Sequence, residues 1–471
     1  MQKLPASFLS AAKDLLGPTG WSEDRDLLQQ HATPWRGTYR GHTPFLARPA
    51  STAEAAALVG LCAEHRVALT PQGGNTGLVD GGTPHGEICV SMTRMTAIRA
   101  IDTLNNSLTI EAGAPLTTAH SAASNGKRFF PLSLGSEGTA TIGGLISTNA
   151  GGVAVLRYGM MRDLILGLEV VLPSGDVWDG LSGLRKNNTG YDLRHVFAGA
   201  EGTLGLITAA TLKLFPAVQT ASAWIVCETP DDVVRLLAHV RETVGDAVTS
   251  FEIIPKAAVE MVVSDHEGIR DPAPCQQAWR VLAEISQPTT AMAEALLETA
   301  LEHALDAGLA VDAIIARSGV QAASFWKIRE TIPLSKRAYG TAINHDISVP
   351  ISKIPSFLET CGQAIQDIVP RAEIIAFGHV GDGNLHYSAC EPEGANTPLL
   401  ADRASEITAI VHRMAVTHGG SISAEHGVGR LKRDELVDIR PSAETQAMVA
   451  IKQALDPLGI MNPGRVVPMP E

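Results

Sequence analysis

The chain is short of basic residues and of long apolar runs. Lys and Arg number 37 against 50 Asp and Glu, which gives a formal net charge of −13, and no long basic block occurs. A nucleic-acid partner or an anionic membrane surface requires a basic face, so we expect neither. No apolar run is long enough to cross a bilayer, so we also expect no membrane span.

Cysteine is scarce and scattered. The chain has six cysteines and no C-x-x-C pair, at positions 62, 89, 227, 275, 361 and 390. This pattern argues against a disulfide framework, a zinc ribbon and an iron–sulfur cluster, and it indicates a reducing compartment. The N-terminal residues lack the long apolar core of a signal peptide and read as a short amphipathic helix. We therefore expect a cytoplasmic protein.

Length and composition predict a globular protein with more than one domain. At 471 residues the chain exceeds the size at which one hydrophobic core stops growing, and 45% hydrophobic with 18% charged residues is an ordinary globular mixture. We predict four parts in chain order. They are an N-terminal helical segment (1–44), a first domain (45–217), a second domain (218–425) and a C-terminal helical segment (426–471) that returns to the first domain.

Local patterns place strands and helices in both domains. In the first domain, turn residues predict hairpins around Asn105-Asn106 and around 173–175. Ser51 followed by Glu54 is the pattern of a capping box that begins a helix over 51–65. In the second domain single strand-like runs alternate with helical runs, which predicts a sheet covered on one face by helices.

Two glycine-rich segments are candidates for a dinucleotide site. The segments 71–77 and 135–144, the second followed closely by 149–152, leave backbone N–H groups open to a pyrophosphate. Hydroxyl groups of Thr139 and Thr141 could bond phosphate or ribityl oxygens. Either segment alone is equally compatible with ordinary turns. Neither shows G-x-G-x-x-G after a strand, so a Rossmann nicotinamide site is poorly supported.

The order of several motifs resembles a known family. The segments PQGGNTGL, PLSLGSEGTATIGGLISTNAGG, LRKNNTGYDL and GAEGTLGLIT resemble the FAD domain of the vanillyl-alcohol-oxidase type flavoproteins, and in particular the FAD-linked D-2-hydroxyacid dehydrogenases. The resemblance runs from about residue 35 to NPGR near the C-terminus. It implies an α+β fold, with a two-subdomain FAD-binding domain and an antiparallel-sheet substrate (cap) domain covered by helices.

The resemblance also implies which residues hold the flavin. The first glycine loop carries no histidine, so we expect FAD to be bound non-covalently. The expected FAD-binding residues are Pro71, Gly73, Gly74, Asn75, Thr76, Gly77, Leu134, Gly135, Gly138, Thr139, Thr141, Gly144, Asn149, Gly151, Gly152, Ile207 and Asn462.

A histidine pair marks a predicted hairpin over 373–390. Two strand-like runs flank Asp382-Gly383, a strong two-residue turn pattern. Centring the turn there places His379 directly opposite His386, with Cβ atoms roughly 4.5–5.5 Å apart. Two imidazoles at that separation can share one metal ion, although a cross-strand pair without function has the same spacing.

The resemblance assigns roles around this hairpin. Residues matching His379, His386 and Glu425 bind a divalent metal in the family, often zinc, and the ligand types also suit manganese and iron. The residue matching His426 contacts the substrate and accepts its hydroxyl proton, as a histidine titrating near neutrality can. A metal on the 2-hydroxyl and 1-carboxylate groups lowers the pKa of the hydroxyl.

Substrate recognition is expected at Arg329, Asn344 and Ser388. Arginine suits bidentate binding of a carboxylate, and an arginine recurs at the matching motif position in the family. Hydroxyglutarate-specific relatives have lysine where this chain has Asn344, and asparagine where it has Ser388. Lys336 or Arg337 is a candidate to supply the missing charge. The best substrate candidate is D-2-hydroxyglutarate, with D-lactate or another D-2-hydroxyacid as the alternative.

Two other functions have to be weighed. Two histidines and a carboxylate also form the facial triad of non-haem iron oxygenases, but that function leaves both glycine loops unexplained. An FAD-binding sensor or assembly subunit without turnover would not need the base, the metal ligands and the arginine together. The dehydrogenase requires an electron acceptor, either a quinone, a cytochrome, an electron-transfer flavoprotein or oxygen, and a homodimer is one assembly that we consider.

Overall fold

The computed structural model describes residues 4–35, 37, 39–338, 341–391 and 400–468, with the backbone alone at 337 and 338. The α-helices in chain order are α1 (Ala6–Leu16), α2 (Arg25–His31), α3 (Thr52–His65), α4 (Leu116–Asn125), α5 (Ile142–Thr148), α6 (Val155–Tyr158), α7 (Leu193–Phe197), α8 (Pro230–Val244), α9 (Lys256–Asp265), α10 (Thr290–Asp306), α11 (Gly319–Ala338), α12 (Ile354–Ile368), α13 (Ala404–Thr417), α14 (Arg433–Ile439) and α15 (Ser442–Leu455).

The strands in chain order are β1 (Trp21–Ser22), β2 (Leu46–Ala47), β3 (Leu69–Gln72), β4 (Ile88–Ser91), β5 (Ile98–Asp102), β6 (Ser107–Glu111), β7 (Arg128–Phe129), β8 (Ile165–Val171), β9 (Val177–Asp179), β10 (Leu206–Lys213), β11 (Phe215–Pro216), β12 (Gln219–Cys227), β13 (Val248–Pro255), β14 (Trp279–Gln287), β15 (Asp312–Ile315), β16 (Ala342–Ser348), β17 (Glu373–His379) and β18 (Asn384–Cys390). Short 3₁₀ helices cover Met161–Leu164, Gly245–Ala247, Ile351–Lys353 and Ala401–Arg403.

The chain folds into two units. Unit 1 comprises Met1–Gly152, Gly159–Ala217 and Glu425–Glu471, and unit 2 comprises Val153–Tyr158 and Val218–Ala424. These bounds differ from the expected parts at three places. Residues 1–44 belong to unit 1 rather than forming a separate segment, residues 153–158 belong to unit 2, and Glu425 belongs to unit 1.

Unit 1 contains a four-stranded sheet in the order β1-β2-β4-β3 and a five-stranded antiparallel sheet in the order β5-β6-β10-β8-β9. Both predicted hairpins form, because Asp102 pairs with Ser107 and Val171 pairs with Val177 across the turns. Helix α3 begins after Ser51, whose Oγ accepts a hydrogen bond from the N–H of Glu54 at 3.1 Å. Apolar side chains of α1 and α3 are buried in one core with those of β3 and β4.

Unit 2 is built on a seven-stranded antiparallel sheet in the order β15-β12-β14-β13-β17-β18-β16. Side chains alternate across the sheet, so Ile225 faces a core with helices α8, α10, α12 and α13, while Trp224 faces a second core with α9 and α11. The expectation of helices on one face alone was wrong, because residues of β12, β13, β14 and β17 are apolar on both faces. Among the described residues no helix is both long and apolar enough to cross a membrane.

Candidate active site

The two glycine loops meet within unit 1. A Cβ atom on Gly74 would overlap the carbonyl oxygen of Thr139, and one on Gly73 would overlap the hydroxyl of Thr141. Glycine at these two positions therefore permits the loops to touch. Beside Gly77 and Gly138, by contrast, an added Cβ would meet nothing within 4 Å, so the backbone there borders open space.

A hydroxyl group between the two glycine loops is a candidate contact for a ligand. The Oγ1 atom of Thr141 is buried and has no hydrogen-bond partner within the described part of the chain. Buried hydroxyls are normally paired, so an unpaired one beside bare glycine backbone fits a polar cofactor. Asn75 and Asn149 both adopt positive φ, at 53° and 50°, which turns the backbone of each loop sharply.

The expected flavin residues occupy several elements of unit 1. Pro71 lies in β3, and the loop that follows this strand carries Gly73, Gly74, Asn75, Thr76 and Gly77. Leu134, Gly135, Gly138, Thr139 and Thr141 precede α5, Gly144 lies in α5, Asn149, Gly151 and Gly152 follow it, Ile207 lies in β10 and Asn462 lies near the C-terminus.

Glu201 joins three parts of unit 1. Its carboxylate accepts hydrogen bonds from the N–H groups of Val428 at 2.7 Å and Gly429 at 2.8 Å, in the loop that follows His426. Its carbonyl oxygen accepts a hydrogen bond from Asn462 Nδ2 at 2.8 Å. Burial raises the pKa of Glu201 to about 7, although these two backbone N–H groups act to lower it. Sequence patterns did not single out Glu201.

Glu425 and His426 lie at the start of this same loop in unit 1. Within unit 1 Glu425 is a neighbour of the second glycine loop, since a Cβ on Gly151 would lie 3.1 Å from its Oε1. The other two expected metal ligands, His379 and His386, belong to unit 2.

In unit 2 the hairpin over 373–390 forms with a different register from the one predicted. His379 pairs with Asn384, and His386 pairs with Phe377, so the two histidines are not directly opposite each other. The loop between the strands contains four residues, 380–383. The N–H of Val380 donates a hydrogen bond to the carbonyl oxygen of Phe251 at 3.0 Å, and the N–H of Gly383 donates one to the carbonyl oxygen of His379 at 3.1 Å. The side chain of Val380 is fully buried, which favours this arrangement.

The two histidines nevertheless share one face of the sheet. The register differs by two residues, and a shift by an even number keeps each side chain on its face. The ring centroids of His379 and His386 lie 5.6 Å apart with the planes 76° apart. A diagonal pair of this kind is still close enough for both rings to approach one ion.

A buried carboxylate holds His379 in place. Glu252 on β13 is fully buried and pairs in register with His379. Its Oε1 lies 2.5 Å from His379 Nδ1, and its Oε2 accepts a hydrogen bond from Arg329 Nε at 2.7 Å. Burial alone would raise the pKa of Glu252, but His379 and Arg329 hold it well below its usual range. With Nδ1 donating to the carboxylate, Nε2 is the acceptor nitrogen of His379.

Three of the expected substrate residues, Arg329, Asn344 and Ser388, lie near this face of the unit 2 sheet, whereas His426 belongs to unit 1. Asn344 on β16 pairs with Ser388 on β18, and Ser388 Oγ donates a hydrogen bond to Asn344 Oδ1 at 2.9 Å. Arg329 lies on α11, and its guanidinium is 4.8 Å from the centroid of the Phe377 ring. Lys336, two helical turns after Arg329, has its ammonium 5.2 Å from the same centroid. The side chain of Arg337 lies outside the described residues.

Sequence patterns did not identify two acidic residues on this face of the sheet, Glu252 and Asp346. Glu252 sits in the apolar run SFEII, and a charged residue inside such a strand is the one pattern that could have revealed it. Asp346 pairs in register with His386, and its Oδ1 accepts a hydrogen bond from Asn384 Nδ2 at 2.8 Å. Its location within INHDIS indicated a strand but no partner.

Comparison with known proteins identifies the class. A model of the FAD binding domain matches residues 43–180, and a model of the C-terminal domain of FAD linked oxidases matches residues 217–466. The chain therefore belongs to the family of FAD-linked oxidases and is an FAD-dependent oxidoreductase. A non-haem iron oxygenase is thereby ruled out as the alternative.

Individual relatives show which members of the family the chain is similar to. A probable mitochondrial D-2-hydroxyglutarate dehydrogenase of Oryza sativa subsp. indica is 36% identical over 99% of this chain and 82% of its own length. The D-2-hydroxyglutarate dehydrogenase of Stutzerimonas stutzeri is 34% identical, with 98% of both chains covered. The mitochondrial enzyme of Bos taurus is also 34% identical, over 99% of this chain and 86% of its own.

Solved structures share the fold at lower identity. A p-cresol methylhydroxylase structure with substrate bound superimposes with a TM-score of 0.76, 16% identity and coverage of 99% of this chain and 97% of its own. A 4-ethylphenol oxidase from Gulosibacter chungangensis gives a TM-score of 0.74, 18% identity and coverage of 100% and 99%. The expected α+β fold with a flavoprotein FAD domain is confirmed.

Proposed function

We propose that this protein oxidises D-2-hydroxyglutarate to 2-oxoglutarate, using non-covalently bound FAD and a divalent metal, zinc by preference, held by His379, His386 and Glu425. Two findings support the substrate: the D-2-hydroxyglutarate dehydrogenases match the chain over nearly its whole length, and unit 2 holds a buried group of Glu252, His379 and Arg329.

The glycine loops are the proposed FAD site. When bound there, FAD supplies the acceptor for the hydride that leaves C2 of the substrate. The unpaired hydroxyl of Thr141 and the open backbone beside Gly77 and Gly138 suit a polar cofactor. The absence of histidine from the first loop supports non-covalent binding.

The metal proposal is supported by the donor atoms of unit 2. Glu252 orients His379 so that Nε2 is its acceptor atom, and His386 presents a second imidazole on the same face. Glu425 of unit 1 is the proposed third ligand, by its match to the family motif. A divalent metal with imidazole and carboxylate ligands would supply Lewis-acid polarisation of the substrate hydroxyl.

His426 is the proposed base, and Arg329 the proposed carboxylate anchor. His426 accepts the proton of the 2-hydroxyl group, and Glu201 fixes the backbone of the loop immediately after it. Glu252 accepts a hydrogen bond from Arg329 Nε, and Arg329 Nη2 lies 3.4 Å from His379 Nε2, so the guanidinium is held beside the proposed metal ligand with Nη1 directed to a substrate carboxylate in this proposal.

Anaerobic flavin reduction tests the reaction. We expect D-2-hydroxyglutarate to bleach the visible flavin absorbance and L-2-hydroxyglutarate to leave it unchanged. If D-lactate reduces the flavin and D-2-hydroxyglutarate does not, the reaction type stands and the substrate is the smaller acid. If no D-2-hydroxyacid reduces the flavin, the protein is an FAD-binding sensor rather than a dehydrogenase.

Metal content tests the ligand set. We expect His379→Ala to lose bound metal by elemental analysis, because it removes an imidazole that Glu252 positions. His303→Ala is the matched control, since His303 lies exposed on α10 of the same unit. An unchanged metal content in His379→Ala would rule out the hairpin site.

The electron acceptor, the oligomeric state and the cellular compartment are further parts of the proposal. We propose a quinone, a cytochrome or an electron-transfer flavoprotein as acceptor, a homodimer as assembly and the cytoplasm as compartment. Five of the six cysteines are buried free thiols, which suits a reducing compartment, whereas the plant and animal relatives are named mitochondrial. Reoxidation assays with each acceptor class test the electron acceptor, and light scattering of the holoenzyme tests the homodimer.

A further inference from the structure

Gln72 closes the base of loop 73–82, whose first half is the first glycine loop. It is the last residue of β3 and is 3% exposed. Its side-chain Nε2 donates hydrogen bonds to the carbonyl oxygens of Gly82, at the far end of the loop, and His31, both at 2.8 Å. Because His31 is the last residue of α2, one amide group joins both ends of the loop to the end of that helix.

His31 completes this contact with its ring. Its Nδ1 lies 2.5 Å from Gln72 Oε1. Because the NH₂ group of Gln72 already donates to two carbonyl oxygens, Oε1 is the acceptor and Nδ1 carries the proton. Burial lowers the pKa of His31, although the hydrogen bond to Gln72 acts to raise it. A lowered pKa favours the neutral ring, whose one N–H group is then the donor to Gln72.

Two further contacts reach loop 73–82 from the chain after α2. Asn75 Nδ2 donates a hydrogen bond to the carbonyl oxygen of Thr33 at 3.0 Å, and the N–H of Asp80 donates one to Tyr39 Oη at 2.8 Å. We call residues 31–35 together with Tyr39 the N-terminal strap. The strap therefore contacts the loop at its base, near its start and near its end, all within unit 1.

Two of these contacts are made by residues of the loop in an unfavourable backbone conformation. Asn75 and Asp80 adopt positive φ, at 53° and 62°, in the left-handed region that residues with a side chain rarely occupy. Such conformations persist where surrounding contacts fix them. Beside Gly77, by contrast, an added Cβ would meet nothing within 4 Å. The strap therefore fixes the loop at 75 and 80 and leaves the backbone of Gly77 open.

We propose that the N-terminal strap holds loop 73–82 in the conformation that binds FAD, with His31 and Gln72 as its positioning residues. Both act through the backbone, at the carbonyl groups of His31 and Gly82. This inference rests on the proposed FAD site and does not depend on which hydroxyacid is the substrate. It gives the N-terminal residues, which the sequence predicts only as a helical segment, a part in cofactor binding.

The size of the effect follows from the number of hydrogen bonds that are lost. Removing one such bond lowers the population of the conformation that depends on it roughly two- to ten-fold. The apparent Kd for a ligand rises in inverse proportion to the fraction of the protein that is competent to bind it. Gln72→Met removes three hydrogen bonds and His31→Leu removes one, so the first variant should have the larger effect.

FAD release from the full-length holoenzyme tests the strap. Flavin fluorescence after dilution gives the Kd for FAD, and hydrogen exchange of the 73–82 backbone measures opening of the loop independently of activity. The variants are Gln72→Met, His31→Leu and His31→Asn, in which the amide nitrogen of asparagine takes nearly the position of imidazole Nδ1. Gln30→Met is the matched control, because Gln30 is exposed on the same helix α2.

We expect Gln72→Met to raise the Kd for FAD roughly ten-fold or more and to speed hydrogen exchange in 73–82. His31→Leu should change both in the same direction, by roughly three-fold or more. His31→Asn should return both values close to those of the parent protein, and Gln30→Met should match the parent.

A merely structural role for the pair gives a different pattern. It would lower the free energy of unfolding without changing the Kd for FAD of the folded protein, and asparagine at 31 would give no rescue of FAD binding. That pattern, or unchanged hydrogen exchange in 73–82 for Gln72→Met, overturns the proposal.

Failure of the proposed FAD site is distinguishable from failure of the strap. If Gly74→Ala retains FAD although its Cβ would overlap the carbonyl oxygen of Thr139, the loop is not the FAD site and both proposals are wrong. If Gly74→Ala loses FAD while Gln72→Met keeps the parent Kd, the FAD site stands and the strap alone is wrong.

Discussion

Replacing Glu252 with Gln removes one negative charge from the interior of unit 2 while keeping the volume of the side chain. In the structure both carboxylate oxygens accept, one facing His379 Nδ1 at 2.5 Å and the other Arg329 Nε at 2.7 Å. A glutamine has only one accepting oxygen. Its NH₂ group must therefore face one of the two N–H donors, and the guanidinium of Arg329 loses its buried counter-charge.

The expected magnitudes follow from these two contacts. Removing one partner of a buried ion pair costs about 3–5 kcal/mol of unfolding free energy, and we expect a loss of about 3 kcal/mol because the hydrogen bond to one donor survives. Loss of the carboxylate that orients a metal-binding histidine weakens metal affinity roughly 10- to 100-fold. Both changes act through His379 and Arg329, so flavin reduction should slow as well.

Glu284→Gln is the matched control for this experiment. Glu284 is a second carboxylate of the same sheet, and it accepts hydrogen bonds from Ser222 Oγ at 2.5 Å and Trp326 Nε1 at 2.8 Å. Burial raises the pKa of Glu284, and both hydrogen bonds go to its Oε1 atom, so the single oxygen of an amide can accept both. Chelator competition measures metal affinity and denaturant unfolding measures stability. Equal metal affinities for the Glu252 and Glu284 variants would refute the positioning role of Glu252.

Three further predictions address other parts of the protein. His426→Ala should keep flavin and metal but lose flavin reduction; normal reduction rates would remove His426 as the base. Gly74→Ala should lose FAD, since its Cβ would overlap Thr139, whereas Gly60→Ala, with open space around it, should keep FAD. Burial raises the pKa of Glu201 from 4.5 to about 7, so the folded state binds this proton more tightly than the unfolded chain does. Stability should therefore fall by about 3 kcal/mol as pH rises through that interval, relative to Glu201→Gln; parallel stability profiles for the two proteins would contradict this.

Features that depend on nearby residues were predictable from the sequence. The helix α3 and its cap at Ser51 follow from residues within one turn of each other, and the hairpin β5–β6 follows from the turn residues between its strands. The shared face of His379 and His386 also follows, because strand side chains alternate with a period of two.

Features that depend on distant partners were not predictable in this way. The hairpin register was wrong because Val380 bonds to Phe251 on another strand, which no local turn pattern reveals. Glu252 is 127 residues from His379 in the chain, so only the sheet brings them together. Lys336 could be named as a candidate cation, but its contact with Ser388, 52 residues away, required the fold.

Anaerobic mixing of the purified holoenzyme with the two enantiomers of 2-hydroxyglutarate tests the central claim most directly. We expect the D enantiomer to bleach the flavin absorbance and yield one equivalent of 2-oxoglutarate per flavin, and the L enantiomer to do neither. A flavin that stays oxidised with D-2-hydroxyglutarate and with every other D-2-hydroxyacid would contradict it.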